Sequence, residues 1–307
     1  ATSPRSLDLP GERTWRIPPL SMPPADRTEP LEALSQYDAV TLFADRAVRS
    51  RPNFRLNADN APAVAEIVHR LDGMPLALEL AAARVRTLSP QQILNGLGDA
   101  FRLLTGGSRV LLPRQQTLET SILWSYELLD PTEQRLLRHL SAFAGSSTLD
   151  AIEAVCADGD LDVSKVLDTL DRLVDHSLVQ VVDGDQHRYL LLETVRQFAA
   201  RLTTSEERNA LAARHATHFT AVAHDIGQLA STPALLDHVD RCLLDEPDLL
   251  KAFDWLVEHH QAQSAAAMVV ALEGLLAIAG RPLTVRRMVA RAATLDLAAD
   301  VRAHLTF

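Results

Sequence analysis

The chain has 307 residues, 47% hydrophobic and only 5% aromatic, with 30 Lys and Arg against 40 Asp and Glu for a net charge of −10. That length suits two or three compact domains, and the Ala, Leu and Arg bias favours helices over sandwiches or barrels. The negative balance argues against gripping DNA or RNA by charge, because such binding neutralises phosphates; a local basic patch stays open.

Residues 1–30 are rich in proline and read as extended, with one short strand in Arg13 to Leu20. Pro18, Pro19, Pro23 and Pro24 bar a helix there. From Ser35 the pattern turns helical. Ser35 and Asp38 resemble a capping box, and Val40, Phe43, Ala44, Ala47 and Val48 recur at helical spacing. A second helix runs from Pro62 to Leu71 and is ended by Gly73. A third starts at Pro75 and reaches Thr87. A fourth spans Ser89 to Leu97, with Ser89 as N-cap and Pro90 at the first helical position. Short connections make this a small helical bundle.

Further helices are expected over Thr117 to Leu129, Pro131 to Phe143, Thr148 to Cys156 and Asp162 to Ser177. The β-rich runs Ser177 to Val182 and His187 to Leu192 flank Asp183-Gly184-Asp185, a hairpin signal. Three helices and a hairpin make a winged-helix domain. Glu193 to Leu202 is one more helix. Beyond Ser205 the chain reads as helical throughout, with a long helix over Glu206 to Ile226 and others over Asp248 to His260, Ser264 to Ala279 and Leu283 to Leu295. Paired helices of this length suggest a TPR-like α-solenoid, although no clean repeat signature is present. The fold class is therefore mainly α: a helical bundle, a winged helix with a β-hairpin, then helical repeats. The domains run 31–116, 117–203 and 204–307, after the extended 1–30.

Cys156 and Cys242 lie far apart in unrelated contexts, so no disulfide scaffold or zinc ribbon is expected, and a reducing cytoplasm fits. The apolar run from Ala265 to Leu272 is too short to span a bilayer. No signal peptide is recognised, and a chain opening on Ala1 is expected to be a fragment or a processed product.

Five ordered segments carry a resemblance: Ala1 to Leu20, Asp38 to Ala47, Gly73 to Ile93, Arg114 to Gly145 and Tyr189 to Leu202. In this order they resemble the NB-ARC architecture of STAND signal-transduction ATPases. The likeness is nearest to actinobacterial-type transcriptional regulators with a LuxR-type or SARP-type DNA-binding domain elsewhere in the chain, and it covers roughly residues 1–260. It implies that 1–30 closes a nucleotide-binding domain, that 31–116 is an ARC-type bundle, and that Pro75 packs on the adenine of ADP or ATP with Gly73 shaping the turn. Taken alone, glycine after one helix and proline opening the next is an ordinary corner.

A P-loop needs glycines, a lysine and a Ser/Thr on Mg²⁺. Lys165 and Lys251 are the two lysines here, and neither follows a glycine. With Walker A and Walker B absent, this chain is expected not to hydrolyse ATP and to hold no cofactor tightly. The resemblance makes the longer parent a slow ATPase using Mg²⁺. Two positions depart from the family pattern. Pro4 stands where the sensor arginine usually does, with Arg5 next, and Leu191-Leu192-Glu193 replaces Met-His-Asp. Leucine cannot donate the histidine's hydrogen bond.

Other constellations are weaker. His215 and His218 sit three apart and could reach one metal, but His224 falls on another face, and packed histidines are the better reading. His259-His260 suits a helix C-terminus. Trp15, Trp124 and Trp255 read as core anchors, and Gly96 to Phe101 as a loop.

Three functions compete. The chain is the regulatory core of a nucleotide-dependent transcriptional switch, a winged-helix DNA binder, or a helical scaffold. On the first reading, protein partners and self-association are expected through the C-terminal repeats, and DNA is contacted only by a domain outside the chain. The third winged helix opposes DNA, carrying Asp162, Asp168, Asp171 and Asp175 against Lys165 and Arg172.

Overall fold

A computed structural model describes residues 19–24, 30–97, 122–123, 125–182, 184, 186–230, 232 and 234–295, the side chains of 230 and 234–238 excepted. The expected strand over Arg13 to Leu20 and the loop from Gly96 lie largely outside these residues, and the helix over Thr117 to Leu129 lies partly outside them, with 122–123 and 125–127 helical. By contacts the chain divides into two compact units. One comprises Ala1–Asp130, Asp175–Leu178 and Leu192–Phe198; the other comprises Pro131–Val174, Val179–Leu191 and Ala199–Phe307.

In the first unit α1 (Leu31–Leu34), α2 (Asp38–Ser50), α3 (Ala61–Arg70), α4 (Pro75–Ala83), a 3₁₀ turn (Arg84–Arg86) and α5 (Pro90–Gly96) form the helical bundle. α2 packs on α4 and the 3₁₀ turn, and α3 packs on α5. Of the apolar stripe read from the sequence, three positions are buried, Ala44 is half-buried and Val48 is 38% exposed. Val40, Phe43 and Ala47 meet a core holding Ile67, Leu71, Leu78 and Ile93.

The cap of α2 differs from the expected capping box. Tyr37 is the N-cap and makes no side-chain cap bond, and Ser35 donates its hydroxyl to the Glu32 carbonyl instead. Ser21, 17 residues upstream, accepts from the Asp38 N–H and donates to the Asp38 carboxylate, both at 2.9 Å. A serine from the extended lead thus satisfies an orphan donor that local sequence leaves open. α5 follows the expectation: Ser89 and Gln92 form a reciprocal capping box, with Pro90 at the first turn.

In the second unit α6 (Pro131–Leu140), α7 (Leu149–Cys156) and α8 (Val163–Asp175) precede the strands β1 (Val179–Val182) and β2 (Arg188–Leu191). The strands pair antiparallel, with Val179 opposite Leu191 and Val182 opposite Arg188. Ser147 adds a bridge to Tyr189 on the other edge of β2. This is a winged helix. Thr148 caps α7 by accepting from the Ala151 N–H.

After α9 (Glu193–Leu202) come α10 (Ser205–Ala230), α11 (Ala234–Leu243), α12 (Glu246–Glu258), α13 (Ala262–Ile278) and α14 (Pro282–Ala292). The long α10 packs on α7, α12 and α13, and α13 packs on α14. Arg138 pairs with Glu207, and Arg214 donates to the Val155 carbonyl. By contacts the helical array and the winged helix fall in one compact unit.

Candidate functional site

The corner at Gly73 is built from two successive left-handed residues, Asp72 (φ 52°) and Gly73 (φ 61°). The Gly73 N–H donates to the Val68 carbonyl and the Met74 N–H to the Leu71 carbonyl, closing the end of α3. A Cβ on Gly73 would lie 2.7 Å from the Leu20 carbonyl oxygen and 3.2 Å from Met22 Sδ. Conformation and space both demand glycine here. Pro75 is exposed at the first position of α4.

Asp72 is the residue that the sequence did not single out. Its carboxylate accepts the Glu193 N–H at 2.6 Å, capping α9 across 121 residues of sequence. Thr194 points its hydroxyl at Met74 Sδ, 3.6 Å away. The corner and the start of α9 at Glu193-Thr194 are thus neighbours. Burial raises the Asp72 carboxyl to about 7, against the opposing bond from the Glu193 backbone. Glu193 itself pairs with Arg196 and accepts from Gln197. Arg5 lies outside the described residues.

The winged helix offers a second surface. Along α8, Val166, Thr169, Leu170 and Leu173 are buried, while Val163, Leu167, Asp168, Asp171 and Asp175 are exposed. The bases are partly engaged: Arg172 pairs with Glu133 at 3.1 Å. On the wing, Arg188 is only 5% exposed and is bound to Asp245 and Ser146, so this cation faces inward. Lys165 is exposed. Asp183 and Asp185 lie outside the described residues.

Residues 129–204 match a winged helix-turn-helix domain. The winged helix also lies within a wider likeness. Over 277 residues the chain is 44% identical to "Putative HTH-type transcriptional regulator Rv0890c" of Mycobacterium tuberculosis and, at the same identity, to its namesake Mb0914c of Mycobacterium bovis. That stretch is 89% of this chain and 30% of each relative. Over 221 residues the chain is 44% identical to "Uncharacterized protein Rv0894" of Mycobacterium tuberculosis, covering 71% of this chain and 53% of that one. The chain thus spans under a third of the named regulators it matches.

The histidines of α10 take separate roles. His215 is buried and bonds Asp248 at 2.8 Å, a partner that spacing could not show. Burial lowers the His218 pKa. Among the described residues no group of three or more His, Cys, Asp or Glu is placed to hold a metal, and no helix is long and apolar enough to cross a membrane. Trp255 is half-buried and stacks on His259 at 4.0 Å; the His259 ring also bonds the Trp255 carbonyl in the last turn of α12.

Proposed function

We propose that this chain is a regulatory segment of a transcription regulator, and that its winged helix works through protein contacts rather than by holding DNA. The family match over 129–204 and the names of the relatives support the regulatory reading. The preference for protein rests on one observation, the exposed face of α8. A helix entering the major groove meets phosphates on both sides, and this one presents Asp168, Asp171 and Asp175 beside Val163 and Leu167. The test is fluorescence anisotropy with duplex DNA from low to physiological salt. The expected result is no salt-dependent binding. Salt-sensitive binding that disappears with Lys165→Ala and Arg172→Ala would overturn the preference.

A second reading is that the winged helix contacts DNA directly. The match to a helix-turn-helix domain favours it, and the same titration decides between the two.

The nucleotide-linked part of the reading rests on the resemblance. Pro75 offers an exposed ring to an adenine, with Gly73 holding the turn. The neighbouring acids Asp72 and Glu193 do not suit phosphates, so ATP or ADP with Mg²⁺ would need its charge partners elsewhere in a longer protein. Stacking alone gives roughly millimolar affinity. Micromolar ADP binding to this chain in calorimetry would refute that division of labour.

A further inference from the structure

We infer that the first two turns of α12 act as a latch on the wing. Three side chains spaced by three residues, Asp245, Asp248 and Lys251, reach from one side of α12 to the 142–146 turn and β2. Asp248 has no exposed surface. Its carboxylate accepts the Ala144 N–H at 2.7 Å, the Gly145 N–H at 3.1 Å and His215 Nε2 at 2.8 Å. Lys251 Nζ donates to the Ala142 carbonyl at 2.5 Å. Asp245 accepts from Arg188, which also donates to the hydroxyl and the carbonyl of Ser146.

These bonds end one residue before Ser147, which bridges to Tyr189 of β2. Ser147 exchanges both backbone bonds with Tyr189, at 2.9 and 2.8 Å. Whatever fixes residues 142–146 therefore fixes the edge of the wing. Beside this edge lies a small gap of about 10 Å³, open on one side and lined by Leu140, Phe143, Gly145, Ser147, Val179, Tyr189 and Leu191. The Ser147 hydroxyl is buried with no partner among the described residues. The turn is thus held to α12 by charge-assisted bonds. Those bonds are strong where water is excluded and exchangeable where it enters. A shift of α12, which packs on α10 and α13, would admit water at Asp248 and release the Ser147 bridge. The helical array thereby sets the order of the wing.

The regulatory meaning rests on the winged helix being the working surface; the latch itself does not. The test is hydrogen exchange by mass spectrometry on the full chain carrying Asp248→Asn, and separately Asp245→Asn. The second variant sits at a less buried position and tolerates substitution better. Expected is a roughly tenfold or greater rise in exchange at residues 144–147 and 188–191, with the buried amides of α6 and α8 unchanged. Uniform acceleration across 131–203 in both variants would show mere structural support and overturn the latch, as would an unchanged wing. A wing that loosens without any change in DNA or partner binding keeps the latch and sinks the functional reading.

Discussion

Asp72 and Gly73 share one turn but answer to different physics. Gly73 is fixed by sterics: φ of 61° and a backbone oxygen 2.7 Å from any Cβ. Gly73→Ala is expected to cost about 2–4 kcal/mol, read as a lower urea midpoint; a loss under about 0.5 kcal/mol would show that the Leu20 segment yields freely. Asp72 is fixed by electrostatics. Its folded-state carboxyl titrates near 7 against an ordinary 3.8 because burial opposes the charge. The folded state therefore binds the proton more tightly than the unfolded state does. This contribution to stability is complete below pH 3.8 and is lost as pH rises through about 7. Asp72→Asn removes it. Relative to that variant, the native chain should lose stability on the order of 3 kcal/mol between pH 4 and 7.5. Parallel stability–pH curves for the two proteins would place the Asp72 carboxyl in the ordinary range.

Among the elements, the crossing of α10 and α13 is set by the absence of a side chain. A Cβ on Gly227 would come within 2.9 Å of Ala271 Cβ. Gly227→Leu should force the helices apart at a cost of about 1–3 kcal/mol, measured by thermal unfolding. Gly159→Ala is the matched control, because a Cβ there meets nothing within 4 Å. Equal melting temperatures for both variants would mean that the crossing relaxes without penalty. The helices themselves were largely legible. Ser89 caps where expected, and the hairpin pairs about Gly184. The cap of α2 was not, because the Ser21 hydroxyl that accepts the Asp38 N–H sits on a segment with no local reason to approach.

Over the whole molecule, a net charge of −10 favours solubility and opposes polyanions. Apolar exposure acts the other way. Leu283 is 76% exposed on α14, and Val270 and Ile278 are about half exposed on α13. Concentration-dependent self-association is expected from such side chains, with Leu283→Glu weakening it in sedimentation velocity. A monomer at every concentration, unchanged by the substitution, would rule this out. Val289 on α14 is half-buried, and Leu295 just beyond it is buried.

Periodicity, caps and turn residues determined where the helices and the hairpin form, since these signals act over three or four residues. They also fixed Gly73-Met74-Pro75 as a corner, because left-handed backbone and a helix start have local chemistry. Tertiary structure alone decided that Asp72 caps Glu193, that Arg188 faces inward to Asp245, and that Asp248 holds the Ala144-Gly145 turn. Each of these acids looks ordinary in the sequence, at a helix end or in a first turn. Its role comes from a partner 57 to 121 residues away and from the exclusion of water, and neither burial nor distant contact is written in local spacing.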